Sequence, residues 1–289
     1  CTASGAGDHT ADAAGDAFTG AGSLGGTGIY WLTGLDVFRP AGTGTIVVLG
    51  DSITEGANST DDSTSRYTDR LAARLLALPG APSVANAGIS GNTVCANSAS
   101  WGPGGADRFS RDVLGQSGVA TLLLFEGTND LSYGGATGSQ VIECLRGIAS
   151  QAHTAGLHVV GATLIPRNAF DATREQYRTQ VNSWVRSTPQ LDGYVDFDAV
   201  IRSSSDATRI NGAYDGDGTH PNTAGHTAMA DAIDLSLFTR NLVRNPGFEA
   251  GTGSVADDWT VSAGVTGAAV RGTGATHAGS WKGIHSASA

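Results

Sequence analysis

Lysine is almost absent from this chain. The single one is Lys282, and every other basic residue is an arginine, a bias that reads as coding preference more than chemistry. Nothing upstream of it offers an amine for Schiff-base work, and no Gly-Lys-Ser or Gly-Lys-Thr of a phosphate-binding loop occurs. Long apolar runs are missing too. None approaches the roughly 20 residues that span a bilayer. Charged residues make up only 15%, and their balance is -10. A surface of that sign neutralises no phosphates, which excludes nucleic acid as a partner. It is equally unsuited to docking on an anionic membrane. His9, His153, His158, His226, His277 and His285 share no ligand spacing, and the cysteines are scattered. No zinc site and no cofactor are therefore expected.

Cysteine is scarce as well. Cys1, Cys95 and Cys144 make an odd count, which suggests one disulfide and one remaining thiol, with the pairing left open. The sequence carries no signal-peptide pattern and starts at Cys1, which reads as a processed or trimmed terminus. A lipidated Cys1, as in a lipoprotein, is the second reading.

Glycine, by contrast, is abundant at 42, and hydrophobic residues reach 40%. That is globular composition with enough apolar mass for a core. Residues 1–43 form a small-residue lead-in with aromatics at Tyr30, Trp31 and Phe38. From 44 to 240 strands and helices alternate. Strands are predicted at 45–49, 83–87, 119–125, 157–165 and 194–197. Helices are predicted at 66–78, 107–114, 139–155, 173–187 and 223–238, the last with Ala228, Met229, Ala232, Ile233 and Leu237 inward. Strands joined by helical crossovers make a parallel sheet, and continuous apolar runs such as Val47 to Leu49 suit strands covered on both faces. The expected fold is a flavodoxin-like three-layer α/β/α domain with five strands. Residues 241–289 lose helical period and read as a short β-type tail.

Four segments sit where ligands bind in such sheets, beyond the strand ends. Gly50-Asp51-Ser52 follows the first strand, Ser90-Gly91-Asn92-Thr93 the second and Gly127-Thr128-Asn129-Asp130 the third, while Asp217-Gly218-Thr219-His220-Pro221 precedes the last helix. A serine nucleophile needs a base, a group that holds the base, and donors for the oxyanion. Ser52 is the candidate nucleophile and His220 the candidate base. Asp217, three residues earlier, can reach the imidazole Nδ1 in one turn. The N–H groups of Ser52 and Gly91 and the side-chain amide of Asn129 are the candidate oxyanion donors. Each residue also has a plain structural reading. Ser52 can cap a helix, Asn129 can form a turn, and Gly88 rivals Gly91. Asp51, Asp130 and Glu126 read as loop-orienting or hydrogen-bonding groups, and Trp101 as either substrate platform or packing.

These four blocks, in this order, resemble the SGNH hydrolases, also called GDSL esterases and lipases, over roughly residues 29–238. The resemblance implies a secreted, cofactor-free serine esterase acting on small-molecule or polysaccharide esters, as a monomer. Residues 7–12 and 31–37 resemble the stretch before the nucleophile block in a secreted bacterial branch, so residues 1–28 read as the remnant of a β-rich domain. Residues 241–249 resemble the opening of a carbohydrate-binding module. Two alternatives follow: a lipase or acyltransferase of the same family, and a catalytically silent glycan-binding protein.

Overall fold

β-Branched and leucine-rich segments form the centre of the molecule. Thr45–Gly50 is β1 and Val119–Phe125 is β3. Ile46, Val47, Val48, Leu49, Leu122 and Leu123 are completely buried, as strands covered on both faces must be. The computed structural model describes Asp36, residues 44–61, 63–78 and 80–238, and the backbone of two short strands near the C-terminus. The rest of the lead-in, the tail from 239 apart from those strands, Cys1, and the side chains of Trp259 and Trp281 lie outside the described residues.

β2 (Ser83–Gly88), β4 (His158–Ala162) and β5 (Gly193–Val195) complete the sheet. Its order is β2-β1-β3-β4-β5 and every pair is parallel. This is the flavodoxin-like doubly wound order, which opens a crevice at the carboxyl ends of β1 and β3, where the winding reverses. The helices fall into two packed groups. One holds α2 (Tyr67–Leu76), α7 (Phe197–Ile201) and α8 (Thr223–Ala232), and the other α3 (Gly105–Phe109), α5 (Gly138–Thr154) and α6 (Ala172–Ser187). Local chemistry starts several of them. Thr137 and Gln140 form a capping box on α5, Asp171 caps α6, and Asn222 caps α8.

Three expectations need correction. The last helix does not run to 238. It stops at Ala232, Ile233 turns extended, and a separate 3₁₀ turn follows at Leu235–Leu237. Its buried face is His226, Met229, Ala230 and then Ile233, while Ala232 is exposed. Phe197 ends no strand; it opens α7 behind the cap of Asp196. The helix expected at 107–114 is α3 followed by one π-helical turn at Ser110–Leu114. Two further one-turn helices were not foreseen, α1 (Ser52–Glu55) and α4 (Thr128–Ser132). Both begin directly beyond a strand, where too few residues exist for periodicity to register.

The chain divides into two units, Cys1–Phe238 and Thr239–Ala289. In the second unit, β6 (Ala269–Arg271) and β7 (Trp281–Gly283) pair antiparallel, Val270 opposite Lys282.

Candidate active site

Ser52 is the first residue of α1, so its N–H has no partner one turn back in the helix. Asp51 caps that turn, its Oδ1 accepting from the Ile53 N–H at 2.9 Å. The turn is tight because Gly50 has no side chain. A Cβ there would meet Thr54 Oγ1 at 2.1 Å and the Phe125 carbonyl at 2.7 Å.

His220 lies 168 residues further along the chain, yet its Nε2 stands 2.8 Å from Ser52 Oγ. Its Nδ1 stands 2.8 Å from Asp217 Oδ2. Asp217 Oδ1 accepts from the backbone N–H groups of His220 at 2.8 Å and Thr219 at 2.9 Å. Partial burial works against charge on Asp217. The imidazole and the two N–H groups outweigh it and hold the carboxyl down at about 2. Asp217 is thus an anion at neutral pH, and the Nδ1 facing it carries the hydrogen. That leaves Nε2 as an acceptor aimed at the hydroxyl.

What carries this loop to the sheet edge is a pair of residues that sequence reading did not single out. Asn168, just past β4, receives the loop from both sides. Its N–H donates to the Gly218 carbonyl at 2.7 Å and its Nδ2 to Asp215 Oδ2 at 2.9 Å. Asp215 Oδ1 in turn accepts from the Gly218 N–H.

On the opposite wall, Gly91 has φ +70°, a region that L side chains rarely enter. A Cβ would also sit 2.3 Å from the Trp101 ring. Trp101 therefore packs one face on Gly91 and keeps 43% of its surface open. The Tyr133 hydroxyl donates to the Gly91 carbonyl. Gly88, the rival glycine, ends β2 against the backbone of Glu55, and its role is packing. Asn129, on α4, donates from Nδ2 to the Asn92 carbonyl at 2.9 Å, and its Oδ1 accepts from Arg167 Nη1 at 3.2 Å. The adjacent Asp130 carboxylate accepts from the N–H groups of Val94 and Cys95 at 2.8 and 3.0 Å. Cys95 is bonded to Cys144 of α5, which resolves the pairing that was left open and ties the Gly91 loop to that helix.

Behind this wall lies Arg108, fully buried. It donates from Nε to Asn92 Oδ1 at 2.8 Å, from Nη1 to the Ala87 carbonyl at 2.7 Å and from Nη2 to the Gly50 carbonyl at 2.8 Å. One side chain thereby joins the loops that follow β1 and β2. Asp112 at 3.2 Å supplies its counter-charge, and the Glu126 carboxyl lies 3.5 Å from Nη2. Glu126 does not make the hydrogen bond expected of it. Among the described residues neither carboxyl oxygen has a hydrogen-bond partner. Burial pushes its carboxyl up to about 8, which Arg108 only partly opposes. Burial likewise raises Asp51, to about 6, against the pull of the Ile53 N–H, His220 and Arg167.

Among the described residues no three histidine, cysteine or acidic side chains converge as metal ligands, and no helix is long and apolar enough to cross a membrane.

The arrangement can remove a proton from the Ser52 hydroxyl and hold the resulting imidazolium. Comparison with known proteins points the same way. The model of the GDSL-like lipase/acylhydrolase family matches residues 48–228. No curated protein matches the chain. Among solved structures, the chain resembles an aryl esterase from M. smegmatis with 20% identity and TM-score 0.53, over 65% of this chain and 95% of that one. It resembles a GDSL-like lipase from Bacteroides thetaiotaomicron with 21% identity and TM-score 0.51, over 68% and 88%. A member of the lipolytic G-D-S-L family from Veillonella parvula gives 20% identity and TM-score 0.52, over 68% and 98%. At such identities the likeness is one of fold.

Proposed function

Because the chain belongs to the GDSL-like lipase/acylhydrolase family, we propose that it is a serine esterase that hydrolyses carboxylic esters, with Ser52, His220 and Asp217 as its triad. The observation that carries this reading is the unbroken relay from Ser52 Oγ to His220 Nε2 and from Nδ1 to Asp217, 2.8 Å at each step. Ser52 Oγ attacks the ester carbonyl as His220 Nε2 takes its proton. The carbonyl oxygen becomes an oxyanion and receives the N–H groups of Ser52 and Gly91. The Asn129 amide adds the Nδ2 hydrogen that Asn92 does not use. Collapse of the tetrahedral species expels the alcohol, which takes the proton back from His220. Water then enters and its oxygen attacks the acyl carbon as His220 takes its proton; the bond to Ser52 Oγ breaks, Oγ takes that proton back from His220, and the acid leaves. Asp217 keeps the Nδ1–H in place throughout and offsets the imidazolium charge.

The Cys95–Cys144 bond supports a secreted protein, since disulfides persist in oxidising compartments. Esters on carbohydrates are the favoured natural substrates, on the likeness of residues 241–249 to the opening of a carbohydrate-binding module, and the protein is proposed to act as a monomer. The test is turnover of a short-chain nitrophenyl ester by wild type and Ser52→Ala, run beside acetylated xylan. The variant is expected to lose on the order of 10⁴- to 10⁶-fold in kcat. Undiminished turnover by the variant removes Ser52 from the chemistry.

A further inference from the structure

We propose that Arg167 is a positioning residue for the oxyanion donor Asn129, orienting and polarising its amide; this rests on the esterase reading above. The two ends of an asparagine amide have the same shape, and only their partners decide which way it faces. A guanidinium has donors and no acceptor, so the Asn129 atom 3.2 Å from Arg167 Nη1 is the oxygen. The Asn92 carbonyl only accepts, so the atom 2.9 Å from it is the nitrogen. The two contacts agree, and together they leave the second Nδ2 hydrogen for a further acceptor, the place an oxyanion would take. A cation on the amide oxygen also draws electron density from the nitrogen, making that hydrogen a stronger donor.

The setting of Arg167 favours this role over a purely structural one. Among the described residues the two buried arginines each have a carboxylate directly against them: Arg108 has Asp112 at 3.2 Å, and Arg178 has Glu175 and Asp198 at 2.5 Å each. Arg167 is half-buried, its guanidinium 5.9 Å from the Phe170 ring. Among the described residues no carboxylate lies within ion-pair distance of it. Asp51 and Asp217 act on it from further off, with Tyr133 beside them. A positive charge kept partly out of water and not directly neutralised suits a site where negative charge develops only during reaction.

Steady-state kinetics on a neutral short-chain ester, in a double-mutant cycle, tests this. Arg167→Met is expected to lower kcat roughly tenfold, an effect of misplacing a donor rather than removing one, with KM held within about twofold. Arg167→Lys keeps the charge and is expected to recover part of the loss. In an Asn129→Ala background the Arg167→Met change is expected to cost less than about twofold, because the amide it acts on is gone. Melting curves of all four proteins check that each is folded. If Arg167→Met does not fold, the Arg167→Lys arm alone decides: a kcat lowered where Asn129 is present but unchanged against the Asn129→Ala parent supports coupling, and equal changes in both backgrounds overturn it. An equal loss in both backgrounds, or a rise confined to KM, overturns the proposal and makes Arg167 a substrate contact instead. Absence of Ser52-dependent turnover in the wild type is a different result, and it removes the esterase reading itself.

Discussion

The two walls of the crevice are built on opposite plans. The Asp217–His220 wall is a turn of four residues, with Asp217 45% exposed and His220 22%. Most of its hydrogen bonds are local, Asp217 to Thr219, His220 and the imidazole, with Asn168 and Ser52 as its distant partners. On the Ser52–Gly91–Asn129 wall Ser52 and Asn129 are buried and Gly91 half-buried, and distant partners join it. Arg108 reaches Gly50, Ala87 and Asn92, Asn129 reaches Asn92, and Asp130 reaches Val94 and Cys95. On the proposed reading, the side that handles the proton meets water, and the side that stabilises charge lies in a lower-dielectric setting, where oriented donors are worth most.

If that contrast is right, breaking the buried wall should be felt first in stability. Arg108→Met takes a charged donor from Asn92 Oδ1 and from the Ala87 and Gly50 carbonyls, and the buried cation from Asp112 and Glu126. Unfolding by urea is expected to show a loss of about 3–5 kcal/mol, and a loss under 1 kcal/mol would mean that the buried network is dispensable. On the exposed wall the effect should be catalytic, with little change in folding. Asp217→Ala is expected to lower kcat roughly a hundred- to a thousand-fold, short of the ~10⁴-fold lost when a buried triad carboxylate is altered, because water can partly replace an exposed group. A melting temperature that falls along with kcat would erase the distinction between the walls.

The gentlest probe is Glu126→Gln. Unfolded, Glu126 ionises near 4.5, and in the fold it keeps its proton to about 8. Between those values the folded chain binds more protons, so rising pH weakens it. Wild type is expected to lose roughly 1–3 kcal/mol relative to the variant as pH climbs from 5 to 8, with a constant difference below that window. Parallel stability curves for the two proteins would place Glu126 in a wetter setting than the buried wall provides.

The same contrast governs how much could be read in advance. Asp217 and His220 were legible because three residues of spacing suffice to close their contact. Ser52 was legible because the apolar run of β1 ends just before it. The parallel sheet followed from alternating strands and helices. Arg108, Arg167 and Asn168 were not legible. Each acts on partners far away in sequence, and an isolated arginine or asparagine carries no pattern that names its acceptor. Glu126 reads as a hydrogen-bonding residue in sequence, whereas in the fold neither oxygen has a hydrogen bond and the Arg108 guanidinium stands 3.5 Å off. The one-turn helices α1 and α4 escaped for want of length, and the final helix was drawn too long because Ile233 and Leu237 fit an apolar period that the backbone abandons at Ala232.

Sequence alone determined the kinds of group that meet here and the edge of the sheet where they meet, because periodicity and short spacings are local properties that survive without a fold. Only the tertiary structure decided which donors face which acceptors, that Cys95 joins Cys144, and which charges lie dry. Those outcomes depend on which distant segments exclude water from one another, and that is settled only when the chain has closed.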